Sequence, residues 1–317
     1  MDTKFIKEAI IPKELHGLRV DIVLTQIFKD FSRSQLTTWL KEGVVTLNQK
    51  HYKPKDKVVG GEHVALNVTL KSKDIKSLPE EIPLDIVFED DHLLIVNKPA
   101  GLVVHPGAGN YDHTLVNALL YHAPNLQQLP RAGIIHRLDK DTTGLLIVAK
   151  TLKSHTNLIK AMQAREINRQ YLTLVYGHII ASDTINTNYG RHPRNRLKMA
   201  VSTNGKEAIT HFAINKQYQY FTLLDVTLMT GRTHQIRVHM AHINHPVVGD
   251  QLYGGRSRIP AGISQILRTS LQQFKRQALH ACKLSLIHPE TKKELTLTTP
   301  LPDDFALLLT TLDQHLE

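Results

Sequence analysis

One stretch restricts this chain more than any other: Gly133-Ile134-Ile135-His136-Arg137-Leu138-Asp139-Lys140-Asp141-Thr142-Thr143-Gly144, followed by the unbroken apolar run Leu145–Ala149. A short apolar run of this kind reads as a buried strand. Five consecutive polar or charged residues, Asp139–Thr143, stand directly before it, and packing gives no reason for them there. Loops carried at the edge of a rigid sheet are where reactive side chains concentrate. A plainer reading, in which Asp141 and Thr142 only shape the turn, stands beside that one.

Two further segments carry chemistry-bearing residues. Gly231–Met240 (GRTHQIRVHM) predicts a helix with Thr233 as its cap and with His234 and Arg237 within one turn of each other. Arg169–Val175 (RQYLTLV) predicts a strand with Tyr171 near its start. A half-buried aromatic is common in strands, so Tyr171 alone is weak evidence.

The 317 residues suffice for roughly two domains. The first is expected over 12–72. Arg19–Lys29 places Val20, Val23, Leu24 and Ile27 at helical spacing. Ser32 or Ser34 is positioned to cap a second helix over Gln35–Leu40, which Gly43 closes. Strand-like runs follow at Val44–Leu47 and Val64–Val68. Residues 73–83, with Pro79 and Pro83 near the end, read as a linker. The second domain is expected over 84–317. Its strands are predicted at Leu84–Glu89, Leu93–Asn97, Gly144–Ala149, Tyr171–Tyr176, Ala208–Ile214 and Phe221–Leu228. Its helices are predicted at Thr114–His122, Lys153–Ala164 and Thr233–His242. Strict alternation of strand and helix is absent, which points to an α+β fold on a mostly antiparallel sheet.

Charge narrows the partners. The net charge is +10, and residues 150–240 hold 13 Lys and Arg against 4 Asp and Glu. Nine of the ten excess charges therefore fall in one stretch, as a polyanion-binding face requires. The single cysteine, Cys282, forms no internal disulfide, fits a reducing cytoplasm and excludes a thiolate-rich metal site. No apolar run approaches the ~20 residues of a membrane span, and the N-terminus lacks a signal-peptide core.

Four ordered motifs resemble one family. HRLDKDTTGLLIVAK (His136–Lys150), NKPAGLVVHPG (Asn97–Gly107), RQYLTLVYG (Arg169–Gly177) and GRTHQIRVHMAHINHPVVGDQLYGG (Gly231–Gly255) are similar to the ribosomal large-subunit family of pseudouridine synthases. Gly17–Asp21 (GLRVD) and Phe31–Leu36 (FSRSQL) resemble the S4 RNA-binding module, although Asn48-Gln49 stands where that module often has Asn-Gly. The resemblance implies isomerisation of uridine to pseudouridine in 23S rRNA, in a stem-loop at the subunit interface, by a monomeric enzyme. It implies that Asp139 is the nucleophile, that Tyr171 packs on the target base, that Arg237 pairs with Asp139, and that Arg137 fills the gap left by a flipped nucleotide. Arg191, Arg194, Arg196 and Lys198, in an expected loop, would grip phosphates, and Arg33 and Arg232 complete the RNA-binding set. Product and substrate are isomers, so no redox cofactor, metal or ATP is expected.

The sequence admits other readings. The same chemistry could serve other large-subunit or tRNA uridines, or the fold could serve a non-catalytic ribosome-assembly protein. The sequence does not separate covalent attack by Asp139 from elimination to a glycal. His239, His242 and His245 recur every three residues, but no HExxH accompanies them and Pro246 would end a helix there.

Overall fold

The computed structural model describes residues 3–28, 31, 33–70, 77–107, 109–195, 197–254 and 259–315. Strand β1 (Thr3–Ile10), helices α1 (Val20–Ile27) and α2 (Arg33–Lys41), and strands β2 (Val45–Leu47) and β3 (His63–Leu70) build the first unit. β3 lies between β1 and β2, antiparallel to both. Val20, Val23 and Leu24 on α1 and Leu36, Trp39 and Leu40 on α2 close over Val45, Leu47, Val64 and Leu66. That is the burial expected of an amphipathic helix on a sheet face.

Asn48 and Gln49 both take positive φ, 46° and 61°. Leu47 and Lys50 exchange backbone hydrogen bonds across them at 3.0 and 2.9 Å. The tight hairpin turn thus forms without the glycine that usually eases it. β1 starts at Thr3, ahead of the residue-12 start predicted from sequence. Lys4, Lys7 and Glu8 hide it from an apolar count, and such charges are common on an edge strand. Residues 71–76, which include the first four of the stretch expected to be a linker, lie outside the described residues. Leu78 is held by Asn117, whose Nδ2 donates to its carbonyl at 2.8 Å.

The second sheet has ten strands. They are β4 (Ile86–Glu89), β5 (Leu93–Lys98), β6 (Thr143–Ala149), β7 (Asn168–Tyr176), β8 (Asp183–Arg191), β9 (Met199–Val201), β10 (Lys206–Gln217), β11 (Phe221–Leu228), β12 (Leu279–Ile287) and β13 (Glu294–Thr298). Their order is β4-β5-β6-β12-β7-β11-β10-β8-β9, with β13 paired to β12. Among the described strands only β6 with β12 pairs in parallel, so the expectation of a mostly antiparallel sheet holds. Helices α3 (Leu115–His122), α4 (Leu152–Gln163), α5 (Gln235–His242), α6 (Gln265–Gln273) and α7 (Asp303–His315) accompany it.

The two-residue period of the strands divides the core. Leu146 and Val148 of β6 join Leu94 and Val96 of β5, with Leu115 and Leu119 of α3, in one cluster. Leu145, Ile147 and Ala149 join Leu93, Ile95 and Leu158 of α4 in another. Residues 145–149 are therefore apolar without interruption because both faces of β6 are covered.

Candidate active site

The chain enters the site through an unusual turn. Arg131, Ala132 and Gly133 take successive positive φ values of 56°, 51° and 77°. Only glycine adopts that region at no steric cost, and a Cβ on Gly133 would stand 2.0 Å from the Ala149 carbonyl oxygen. Gly144 likewise has φ 109°, with its Cβ position 2.3 Å from the Ala281 carbonyl oxygen. The loop bearing Asp139 is strung between these two close approaches.

Its far side is fastened residue by residue. Lys98 Nζ donates to the carbonyls of Lys140, Pro99 and Leu102 at 2.8, 2.7 and 2.9 Å. Arg276 Nη1 donates to the Asp141 carbonyl at 3.3 Å, and Gln277 Nε2 to Thr142 Oγ1 at 3.0 Å. His280 Nδ1 meets Thr143 Oγ1 at 2.8 Å. Lys98 is 1 % exposed. Burial pushes its ammonium down to about 7, against the pull of the Asp141 and Asp139 carboxylates, while the three carbonyls match its three N–H groups.

Arg237 on α5 donates from Nη1 to Asp139 Oδ2 at 3.0 Å. Its Nε and Nη2 fork onto Asp250 at 2.6 and 2.9 Å. The Asp250 carboxylate is wholly buried and also accepts the Leu252 and Tyr253 N–H groups at 2.8 and 3.0 Å. Burial favours the neutral form of Asp250, but the Arg237 guanidinium outweighs it and holds the carboxyl below the usual range. Burial also opposes the Arg237 charge, and the two carboxylates overcome it and raise its pKa. Asp139 Oδ1 accepts no hydrogen bond among the described residues. One oxygen is anchored and the other carries no hydrogen bond among the described residues, an arrangement suited to attack on an electron-poor carbon.

His234, not the predicted Thr233, occupies the N-cap of α5, with φ 60° and ψ 19°. The Thr233 carbonyl instead accepts the Tyr189 hydroxyl. His234 Nε2 lies 3.8 Å from Asp139 Oδ1, and its Nδ1 lies 2.8 Å from the Tyr253 hydroxyl. The Tyr253 ring packs under the Arg237 guanidinium, 5.1 Å from its centroid. Tyr171 on β7 is buried. Burial raises its phenol; Arg169 lowers it and the Asp139 charge raises it further.

Asp139 and Arg237 are in direct contact, and the buried Tyr171 phenol feels the Asp139 charge. Arg137 is exposed two residues before Asp139. Arg191 ends β8 rather than lying in a loop, because Arg191 pairs with Met199 in a β8–β9 hairpin. Arg194 and Lys198 lie in the connection, and Arg196 is outside the described residues. Arg232 Nε donates to the Glu207 carbonyl at 3.3 Å. Arg33 belongs to the first unit, its Nη2 2.7 Å from Asp21. His239 Nδ1 meets Thr210 Oγ1 at 2.8 Å and its Nε2 meets Thr187 Oγ1 at 3.1 Å. Sequence reasoning missed Lys98, Asp250 and Tyr253. All three lie inside the quoted motifs, but nothing local marks which groups they meet.

The RNA pseudouridylate synthase family model matches residues 92–242. The chain is 48 % identical to "Ribosomal large subunit pseudouridine synthase D" of Escherichia coli K12, over 95 % of this chain and 92 % of that protein. It is 48 % identical to the protein of the same name from Pseudomonas aeruginosa, over 98 % of this chain and 97 % of that one. For the Xanthomonas campestris protein of that name the figures are 47 %, 97 % and 92 %. Among solved structures, "Human RNA Pseudouridylate Synthase Domain Containing 4" aligns with a TM-score of 0.57 at 25 % identity, over 73 % of this chain and 93 % of that one.

Proposed function

The chain belongs to the RNA pseudouridylate synthase family, and from that premise we propose that it isomerises uridines of 23S rRNA with Asp139 as nucleophile. One observation carries the residue assignment: Arg237, fixed by the buried Asp250, holds Asp139 Oδ2 and leaves Oδ1 without a hydrogen bond. Oδ1 attacks C1′ of the ribose as the C1′–N1 bond breaks, and the electron pair leaves with the uracil. The uracil turns in place, C5 bonds to C1′ and displaces the carboxylate. C5 then loses its proton and N1 gains one, so the product is an isomer of the substrate.

A stacked uridine hides C1′, so the nucleotide must be turned out at a cost of a few kcal/mol. Loop uridines are extruded most easily, which agrees with a stem-loop target at the subunit interface. Arg137, exposed beside Asp139, enters the vacated stack, and Tyr171 packs against the uracil. Arg191, Arg194 and Lys198 on the β8–β9 hairpin, with Arg232, contact flanking phosphates. The first unit acts as an S4-like RNA-binding module through Arg33, which Asp21 orients. The names of the relatives support a large-subunit rRNA target. We assign the enzyme to the cytoplasm as a monomer. No described helix is long and apolar enough to cross a membrane.

The test is chemical mapping of pseudouridine in 23S rRNA incubated with wild type and with Asp139→Asn. Wild type should form pseudouridine and the amide variant none. Product formation by Asp139→Asn at the wild-type rate would exclude Asp139 as nucleophile.

A further inference from the structure

Resting on the reaction proposed above, we infer that His234 is a further catalytic residue, whose Nε2–H donates a hydrogen bond to uracil O2 as the glycosidic bond breaks. Its backbone is the first indication. A φ of 60° at a residue other than glycine sets Cβ against the following carbonyl oxygen, and strain of this kind gathers at functional sites. Both neighbours enforce it. The Tyr189 hydroxyl holds the Thr233 carbonyl, and Gln235 Oε1 accepts the Arg232 N–H and the Thr230 hydroxyl at 2.9 and 2.8 Å.

The hydrogen-bond chain favours one tautomer. The Met199 N–H donates to the Tyr253 oxygen at 2.8 Å. The phenol proton is then directed to the other contact of that oxygen, His234 Nδ1 at 2.8 Å. Burial raises the Tyr253 phenol, so it keeps that proton. With Nδ1 accepting, the proton of the neutral imidazole resides on Nε2. Burial lowers the His234 pKa, and Arg237 and Arg137 lower it too, against the Asp139 and Asp250 carboxylates.

The Nε2 atom lies 3.8 Å from Asp139 Oδ1, too far for a hydrogen bond. It makes no hydrogen bond among the described residues, so its N–H has room for a substrate atom. Reaction requires C1′ about 3–3.5 Å from Oδ1. Uracil O2 is joined to C1′ only through N1 and C2, whereas O4 lies across the ring. As N1 departs, negative charge develops on O2, beside the donor. Donors aimed at developing charge typically contribute about 10²–10³-fold in rate.

The experiment pairs enzyme variants with substrate variants. Single-turnover rates at saturating enzyme are measured on stem-loop RNA carrying uridine, 2-thiouridine or 4-thiouridine at the target. H234G removes the imidazole while glycine accepts the positive φ. It should be about 100-fold slower on uridine and on 4-thiouridine, and less than about threefold slower on 2-thiouridine, whose sulfur is a poor acceptor. H234Q, which retains an N–H donor, should recover about tenfold over H234G on uridine and covers the case in which the glycine variant misfolds. Equal H234G penalties on all three RNAs, no penalty on uridine, or an H234Q no faster than H234G overturns the inference while wild-type turnover leaves the proposed function standing. Wild type that forms no pseudouridine removes that function and the inference with it.

Discussion

Arg237 serves two carboxylates, and they play different parts. Asp250 is wholly buried and takes the guanidinium fork, while Asp139 is 13 % exposed and takes a single contact. Removing one partner of a buried ion pair leaves the other charge uncompensated, at a cost of about 3–5 kcal/mol. Arg237→Ala should therefore lower unfolding stability by about that amount in urea titrations and abolish turnover. A variant with wild-type stability and rate would show that the pair does neither. The legible part of this network is uneven. The polar run before the strand exposed Asp139, and the motif suggested Arg237. Asp250 is 13 residues from Arg237, beyond any helical spacing, and so had no local signature.

The β8–β9 hairpin shows the same division at the level of elements. Its positive charge was readable from the cluster of Arg191, Arg194 and Lys198. Its strand character was not. Asp183–Arg191 is predominantly polar and forms a strand because β10 pairs with seven of its residues. If this hairpin grips phosphates, Arg191→Gln with Arg194→Gln should weaken RNA binding. It should also reduce the log–log salt slope by about 0.7–0.9 per lost contact. Filter binding at several salt concentrations reads both, and an unchanged slope would remove the hairpin from the interface. His234 makes the complementary point. The helix beginning near Thr233 was predicted, but its cap was misread, because Tyr189 from β8 draws the Thr233 carbonyl away.

Across the whole molecule, several histidines are buried in neutral form. Burial pushes His239 and His280 down to about 4 and His136 to about 3. His136 Nε2 accepts the Ile147 N–H at 3.2 Å, a role it loses on protonation. The unfolded chain protonates these groups near 6.5, the folded chain only near 3–4. Between those values the unfolded state binds more protons, so stability falls as pH drops from about 6.5 toward 4. Each group contributes at most about 1.4 kcal/mol per pH unit. The carboxylates with lowered pKa, Asp250 among them, lose their contribution only at lower pH. The urea midpoint should thus fall clearly between pH 7 and pH 5, and a flat midpoint over that range would refute the assignment.

The sequence by itself determined the elements whose signal is local: the two-sided apolar strand β6, the polar loop before it, the amphipathic α1, and the basic excess over 150–240. It also carried enough ordered motif to identify the family. Only the tertiary structure decided which groups meet. Asp139 and Arg237 are 98 residues apart in the chain, and Thr143 and His280 are 137 apart. Periodicity and propensity act over a few residues of backbone. The pairing of Asp250 with Arg237, the burial of Lys98 behind the loop and the parallel entry of β12 beside β6 depend on how the sheet closes, where long-range packing overrides what neighbours in sequence prefer.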